Sequence, residues 1–468
     1  MAVSDAMSSI LSKYHINPKK PPQIMSLRSQ DVSERAEING SVRLTGDAEN
    51  RNIFIKESGT EFEPIWIGFD QLDMHRTKVI VLGNHVHLIG GKWHDSMVEI
   101  QGDYNRVCGA QFADGERNGN NDRLNSGVLM TRNASYNRVD HCEFKNWNRN
   151  AIRQAFITGG KGFNLIDHNW IHDCWFGKNM GDEKGKNGTE CFQSGASREE
   201  INYQTCLMIA FNVVENWDNE VECVSMKTDD VFVYHNVFRN MPRSTITSRL
   251  GSDCEIIGNQ LIDTMGIRIF GENNVVDSNN LSGAGDIRVY SGDCSASQVK
   301  NGEFPGGHPA ARNSVVTNNT LDKGEIIIGE RGTGKVMYYD EQHLPAYRTV
   351  LAKNTGMVKM IEHHRETEFE AIYDDKMAEL FRPPDLETLM NCYRGMTNLF
   401  DVSQGQNDDE KPDMPDNREE IKKLKKRLRK LKRSVNGSIK ELEGLKAEVL
   451  LAQEAVKEMA TFIQNPEQ

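Results

Sequence analysis

Glu220-Val221-Glu222 sets two carboxylates one residue apart, and Lys227 follows five residues after the second. In an extended chain alternate side chains point to the same side. Glu220 and Glu222 are therefore expected to share a face, while the side taken by Ser225 depends on where the strand bends. Two adjacent carboxylates repel, and each is driven toward protonation unless positive charge lies between them. A hard cation such as Ca²⁺, which takes oxygen ligands, removes that conflict. An isolated Glu-x-Glu more often lines a solvated strand face, so the architecture around the pair decides its meaning.

That architecture is repetitive. Asn, any residue and a large apolar residue recur at Asn169/Ile171, Asn212/Val214, Asn236/Phe238, Asn259/Leu261, Asn279/Leu281 and Asn319/Leu321. The basic period is 20 to 24 residues, and the two longer gaps, of 43 and 40 residues, read as doubled rungs. Periods of this size mean stacked units. Short β-branched runs such as Val231-Phe232-Val233-Tyr234, Glu255-Ile256-Ile257, Asn274-Val275-Val276 and Ser314-Val315-Val316 alternate with turn residues and show no helical period. Leucine-dense rungs are absent. The expected fold is all-β, a right-handed parallel β-helix with asparagines stacked in its turns.

Composition fits a narrow solenoid core, with 39 Gly and only 37% hydrophobic residues. Nine cysteines are an odd number without a CxxC pair, so neither a zinc site nor a complete disulfide framework is expected. Cys142, Cys206, Cys223 and Cys254 fall within the repeat and are expected to be reduced core thiols. Residues 1–11 lack the basic and apolar regions of a secretory signal, and no run of 18 apolar residues exists. A soluble protein outside the usual export route follows as the expectation, whether cytoplasmic or a virion tail component released by lysis.

Beyond the repeat the character changes. An N-terminal segment (1–45) precedes the solenoid (46–365), and a connecting region and acidic, proline-containing linker (366–417) follows it. From 418 to 465 a heptad places Ile421, Leu428, Val435, Leu442, Val449, Val456 and Ile463 at a, with Leu424, Leu431, Leu445, Ala452 and Met459 among the d positions. A C-terminal α-helical coiled coil is expected, and with it a homo-oligomer, dimer or trimer. Residues 418–433 hold ten Lys or Arg against two Glu, on the outer heptad positions, where a solvated helix face explains them better than nucleic acid does. Neither nucleic acid nor membrane is an expected partner.

Several blocks between about residues 50 and 335 resemble family six of the polysaccharide lyases, the group of chondroitinase B and many alginate lyases. They are Ser58-Gly59-Thr60-Glu61 leading into Pro64-Ile65, Tyr136 to Phe144 with Asn137-Arg138-Val139-Asp140-His141-Cys142, Ile166-Asp167-His168-Asn169, and Gly266 to Asn273. The resemblance implies a Ca²⁺ site made by Asn187 of Asn187-Gly188-Thr189-Glu190 with Glu220 and Glu222, and a catalytic pair of Lys227 and Arg249. Three departures accompany it. One additional residue falls near Met241 to Ser244, Leu250 stands where the family has histidine, and Gln193 stands where it has arginine. Arg243 is the alternative for the arginine.

Such residues suit β-elimination from a uronic-acid polymer. The C5 proton is weakly acidic beside an ionised carboxylate. A cation bound to that carboxylate stabilises the enolate-like intermediate, and Lys227 takes the proton. Guanidinium rarely gives up a proton, so Arg249 is assigned charge stabilisation. Trp170, Trp175 and Trp217 are candidates for stacking on sugar rings or for capping the core, and the loop 177–186 for walling the groove. The expected substrate is an acidic polysaccharide, alginate ahead of chondroitin or dermatan. The competing class is a non-catalytic glycan-binding tailspike or adhesin.

Overall fold

The structure, a computed structural model, describes residues 28–31, 37–116, 124–131, 134–155, 162–174, 188–195, 204–301, 303, 307–331 and 344–361. Among these, thirty-three short strands join one hydrogen-bonded network, and the single helix is Ala296–Lys300. The heptad segment and linker lie outside the described residues, as do Asn187, Trp175 and the loop 177–186.

Each coil contributes three strands, and each strand pairs in parallel with the equivalent one a coil away. Arg138–Asp140, Glu143–Lys145 and Asn150–Gln154 make one coil; they pair with Leu165–Asp167, Trp170–Cys174 and Phe192–Ser194 of the next. Those pair in turn with Gln204–Ala210, Val213–Trp217 and Glu222–Met226. This is a parallel β-helix. Its centre is filled by inward aliphatic and aromatic residues such as Phe112, Phe144, Trp147, Ile171, Val214 and Phe238.

The repeating asparagine stacks as expected. The backbone N–H of Asn169 donates to Oδ1 of Asn212 at 3.0 Å, and the same bond runs on through Asn236, Asn259, Asn279, Asn319 and Asn354. Side-chain amides repeat the link, so each buried turn donor finds a partner one coil away. The residue before each asparagine turns the chain with a positive φ, at His168, Phe211, His235, Ser278 and Asn318. The asparagine bonds hold that strained conformation in place.

Two expectations change here. The 43- and 40-residue gaps are single coils rather than doubled rungs, because Asn169 bonds Asn212 directly and Asn279 bonds Asn319. Their extra length lies in insertions between strands, the second carrying the helix Ala296–Lys300. Cys206 is only half-buried, at a register shift in its strand, whereas Cys142, Cys223 and Cys254 are core thiols. The eight cysteines among the described residues are thiols and not disulfides.

Candidate active site

Glu222 opens the strand Glu222–Met226, where strict alternation would send it to the core with Val224 and Met226. A register shift between Glu222 and Val224 prevents this. Cys223 and Val224 both enter the core, and Glu222 emerges on the outer side with Ser225, whose hydroxyl donates to Glu222 Oε2 at 2.6 Å. A bulge that re-aims a side chain is a common device beside functional sites. Here it accompanies the contacts of Glu222 with Ser225 and Arg249.

Arg249 Nη1 lies 3.4 Å from both oxygens of Glu222, and Arg268 Nη1 lies 3.8 Å from Oε1. Although Glu222 is buried, which opposes ionisation, Arg249, Arg268 and Lys227 hold its carboxyl down at about 2. Glu220 behaves oppositely. Burial, with Glu190 and Glu222 as negative neighbours, pushes its carboxyl up to about 8 despite Lys227 and Arg249. Its Oε2 is buried and, among the described residues, has no hydrogen-bond partner.

Lys227 directly follows the last residue of that strand, Met226. Its Nζ lies 3.0 Å from Oε1 of Glu190, which also accepts from Gln193 Nε2 at 2.9 Å; Oε2 of Glu190 accepts from Asn150 Nδ2 at 3.1 Å. Glu190 and Lys227 are both buried, at 1% and 7% exposure. Lys227 is thus a clamped lysine and not the exposed one that a surface position would give.

The structure brings Glu220, Glu222, Lys227 and Arg249 close to one another. Asn187, the remaining expected metal ligand, lies outside the described residues, although Gly188, Thr189 and Glu190 of its motif are present beside Lys227. Arg243 is not a member: it is largely exposed and paired with Asp218. A register shift between Met241 and Thr245 falls where the one additional residue was noted, and Arg249 lies beside Glu222. Trp217 is fully buried in the core and offers no sugar platform. Trp170 stacks on His172 at 3.9 Å and donates to Glu215. Sequence reasoning left Glu190 and Arg268 without roles. Glu190 sits in the quoted Asn-Gly-x-Glu motif, and Arg268 in the segment Gly266 to Asn273, so each had a signal that only its neighbours make readable.

The donor set fits a hard divalent cation. Glu220 presents a carboxylate oxygen that no group among the described residues satisfies, in a place where two further carboxylates oppose its ionisation. A separate cluster among the described residues, Cys108, Asp140 and His141, brings three ligand atoms together but does not fit: Arg106 and His141 already bond Asp140, and burial pushes the Cys108 thiol up.

Fold and site together define a carbohydrate-active β-helix. The model of the chondroitinase B family matches residues 83–326, and the chain belongs to that family, and is a polysaccharide lyase. Similar solved structures include a family-six polysaccharide lyase from Pseudopedobacter saltans (TM-score 0.57, 15% identity, covering 76% of this chain and 89% of that one). Another is a mannuronic-acid-specific family-six lyase from human gut microbiota (TM-score 0.55, 17% identity, 78% and 94%). A third is the alginate lyase AlyF-OU02 in complex with G6 (TM-score 0.52, 14% identity, 78% and 86%). At these identities the likeness is one of fold. No curated protein matches the chain by sequence.

Proposed function

We propose that the protein cleaves a uronic-acid-containing polysaccharide, alginate ahead of chondroitin or dermatan, by Ca²⁺-assisted β-elimination. The observation that carries this reading is the placement of Lys227 on Glu190 and of Arg249 on Glu222, with Glu220 near both and one of its oxygens without a partner among the described residues. Asn187, Glu220 and Glu222 would hold the cation. When bound, Ca²⁺ supplies positive charge that neutralises the substrate carboxylate and stabilises charge developing on it.

The chain's own residues do the rest. Lys227 in its amine form takes the C5 proton; the C5–H electron pair becomes the C4–C5 double bond, and the C4–O4 bond breaks. Arg249, anchored by Glu222, faces the developing negative charge and stabilises it without giving up a proton. A water completes protonation of the leaving O4. Arg268, between Glu222 and the rings of Phe270 and Tyr290, extends the positive surface along the next coil. Alginate is preferred because the similar solved enzymes named above include lyases of alginate and of mannuronic acid. Self-association through residues 418–465 belongs to the same reading.

The test is the ultraviolet absorbance of unsaturated uronate, followed with alginate, polymannuronate, polyguluronate, chondroitin sulfate and dermatan sulfate, each with added Ca²⁺ and with chelator. Ca²⁺-dependent product from alginate supports the proposal. Binding without product from every polymer overturns it in favour of a glycan-binding spike.

A further inference from the structure

Glu190 has no part in the chemistry just described, yet it is the least exposed ionisable group in the site, at 1%. A buried carboxylate is costly unless its oxygens are satisfied. Glu190 meets that demand with Lys227 Nζ and Gln193 Nε2 on Oε1 and with Asn150 Nδ2 on Oε2. The three donors come from three places. Asn150 belongs to the preceding coil, Gln193 to the strand beside Glu190, and Lys227 to the following coil. The carboxylate is thereby fixed before Lys227 reaches it.

We infer that Glu190 is the positioning residue for Lys227. It accepts one N–H from Nζ and so aims the remaining face of the amine, with its lone pair, toward the outer groove that Glu222 and Arg249 share. A lysine side chain has four rotatable bonds and loses about 2 kcal/mol of rotamer freedom when fixed. A general base must be held within hydrogen-bond reach of the proton that it removes, and Glu190 supplies that constraint. Gln193 has a corresponding task. Standing where the family has arginine, it bonds Glu190 without bringing a competing positive charge, and so shares Oε1 of Glu190 with Lys227 Nζ. This inference rests on the lyase reading only for the identity of the base.

The experiment compares wild type with Glu190→Gln in the full chain, in two arms. In the first, acetic anhydride labels amines and peptide mass spectrometry follows acetylation of Lys227. Release of the clamp should make Lys227 label at least about threefold faster in the variant, with the other lysines unchanged. In the second, kcat should fall by about tenfold or more, with KM and Ca²⁺ affinity within about twofold of wild type. Equal labelling of Lys227 in the two proteins overturns the inference. So does a loss of Ca²⁺ affinity with labelling unchanged, which would make Glu190 a metal ligand. Should Glu190→Gln fail to fold, Glu190→Asp keeps the charge and withdraws it by one methylene, and the same faster labelling is expected. If wild type forms no unsaturated product, the lyase reading fails, and the labelling arm still decides the role of Glu190.

Discussion

Arg249 places one guanidinium nitrogen 3.4 Å from each oxygen of Glu222, a coil away on the same outer face. Both distances are long for a charge-assisted hydrogen bond, so the guanidinium is anchored with capacity to spare for an anionic substrate. Arg249→Ala should lower kcat by about 10² or more through lost charge stabilisation. Arg243→Ala, at the exposed ion pair with Asp218, should change it less than about twofold. Steady-state rates on one uronan compare the two directly; equal effects would remove Arg249 from its role.

Glu220 gives a pH signature in the protein stripped of metal by chelator. Its folded carboxyl is raised to about 8 from a usual value of 4.5. The folded state therefore binds more protons than the unfolded state between these limits, and stability falls as pH rises from about 4.5 to about 8. Glu222, held at about 2, has the opposite sign: its contribution is present above 4.5 and is lost as pH falls toward 2. Glu220→Gln should flatten the decline between pH 5 and 8 in thermal melts, within the range set by these values. A melting temperature of the variant that declines as steeply as wild type would contradict this account. Added Ca²⁺ should stabilise wild type more than the variant, because it binds only the folded site.

The asparagine ladder makes a prediction of its own. Oδ1 of Asn236 accepts from the backbone N–H of Asn212, and its Nδ2 donates to Ile209 O. Asn236→Ala leaves the buried N–H of Asn212 without its partner, at a cost of about 1 to 3 kcal/mol. Hydrogen exchange at the Asn212 amide should accelerate markedly in the variant; unchanged protection there would deny the ladder its stabilising role.

Much of this molecule was legible in its residues. The asparagine period exposed the solenoid because a turn donor buried at every coil needs the same partner every time. Glu220 and Glu222 were legible as a pair because alternate residues of an extended chain share a side, whereas Lys227 and Arg249 were legible through the family resemblance. The 43- and 40-residue gaps misled, since an insertion at a turn lengthens a coil without adding one. Burial of Lys227 was hidden as well, for it depends on Glu190, 37 residues away, which a sequence does not set beside it. The outward turn of Glu222 depends on a bulge whose position the residues suggest only once Cys223 is known to fill the core.

The central claim is that Lys227 is the base, and Lys227→Gln tests it most directly. Alanine at this position would strand the buried Glu190 carboxylate and cost stability, whereas glutamine still donates to Glu190 and cannot accept the C5 proton as an amine does. The measurement is release of unsaturated uronate from the best wild-type substrate, at saturating Ca²⁺, with substrate binding followed in parallel. The account predicts a rate lower by about 10² to 10⁴ with binding retained. Product release near the wild-type rate from a folded Lys227→Gln protein would contradict it.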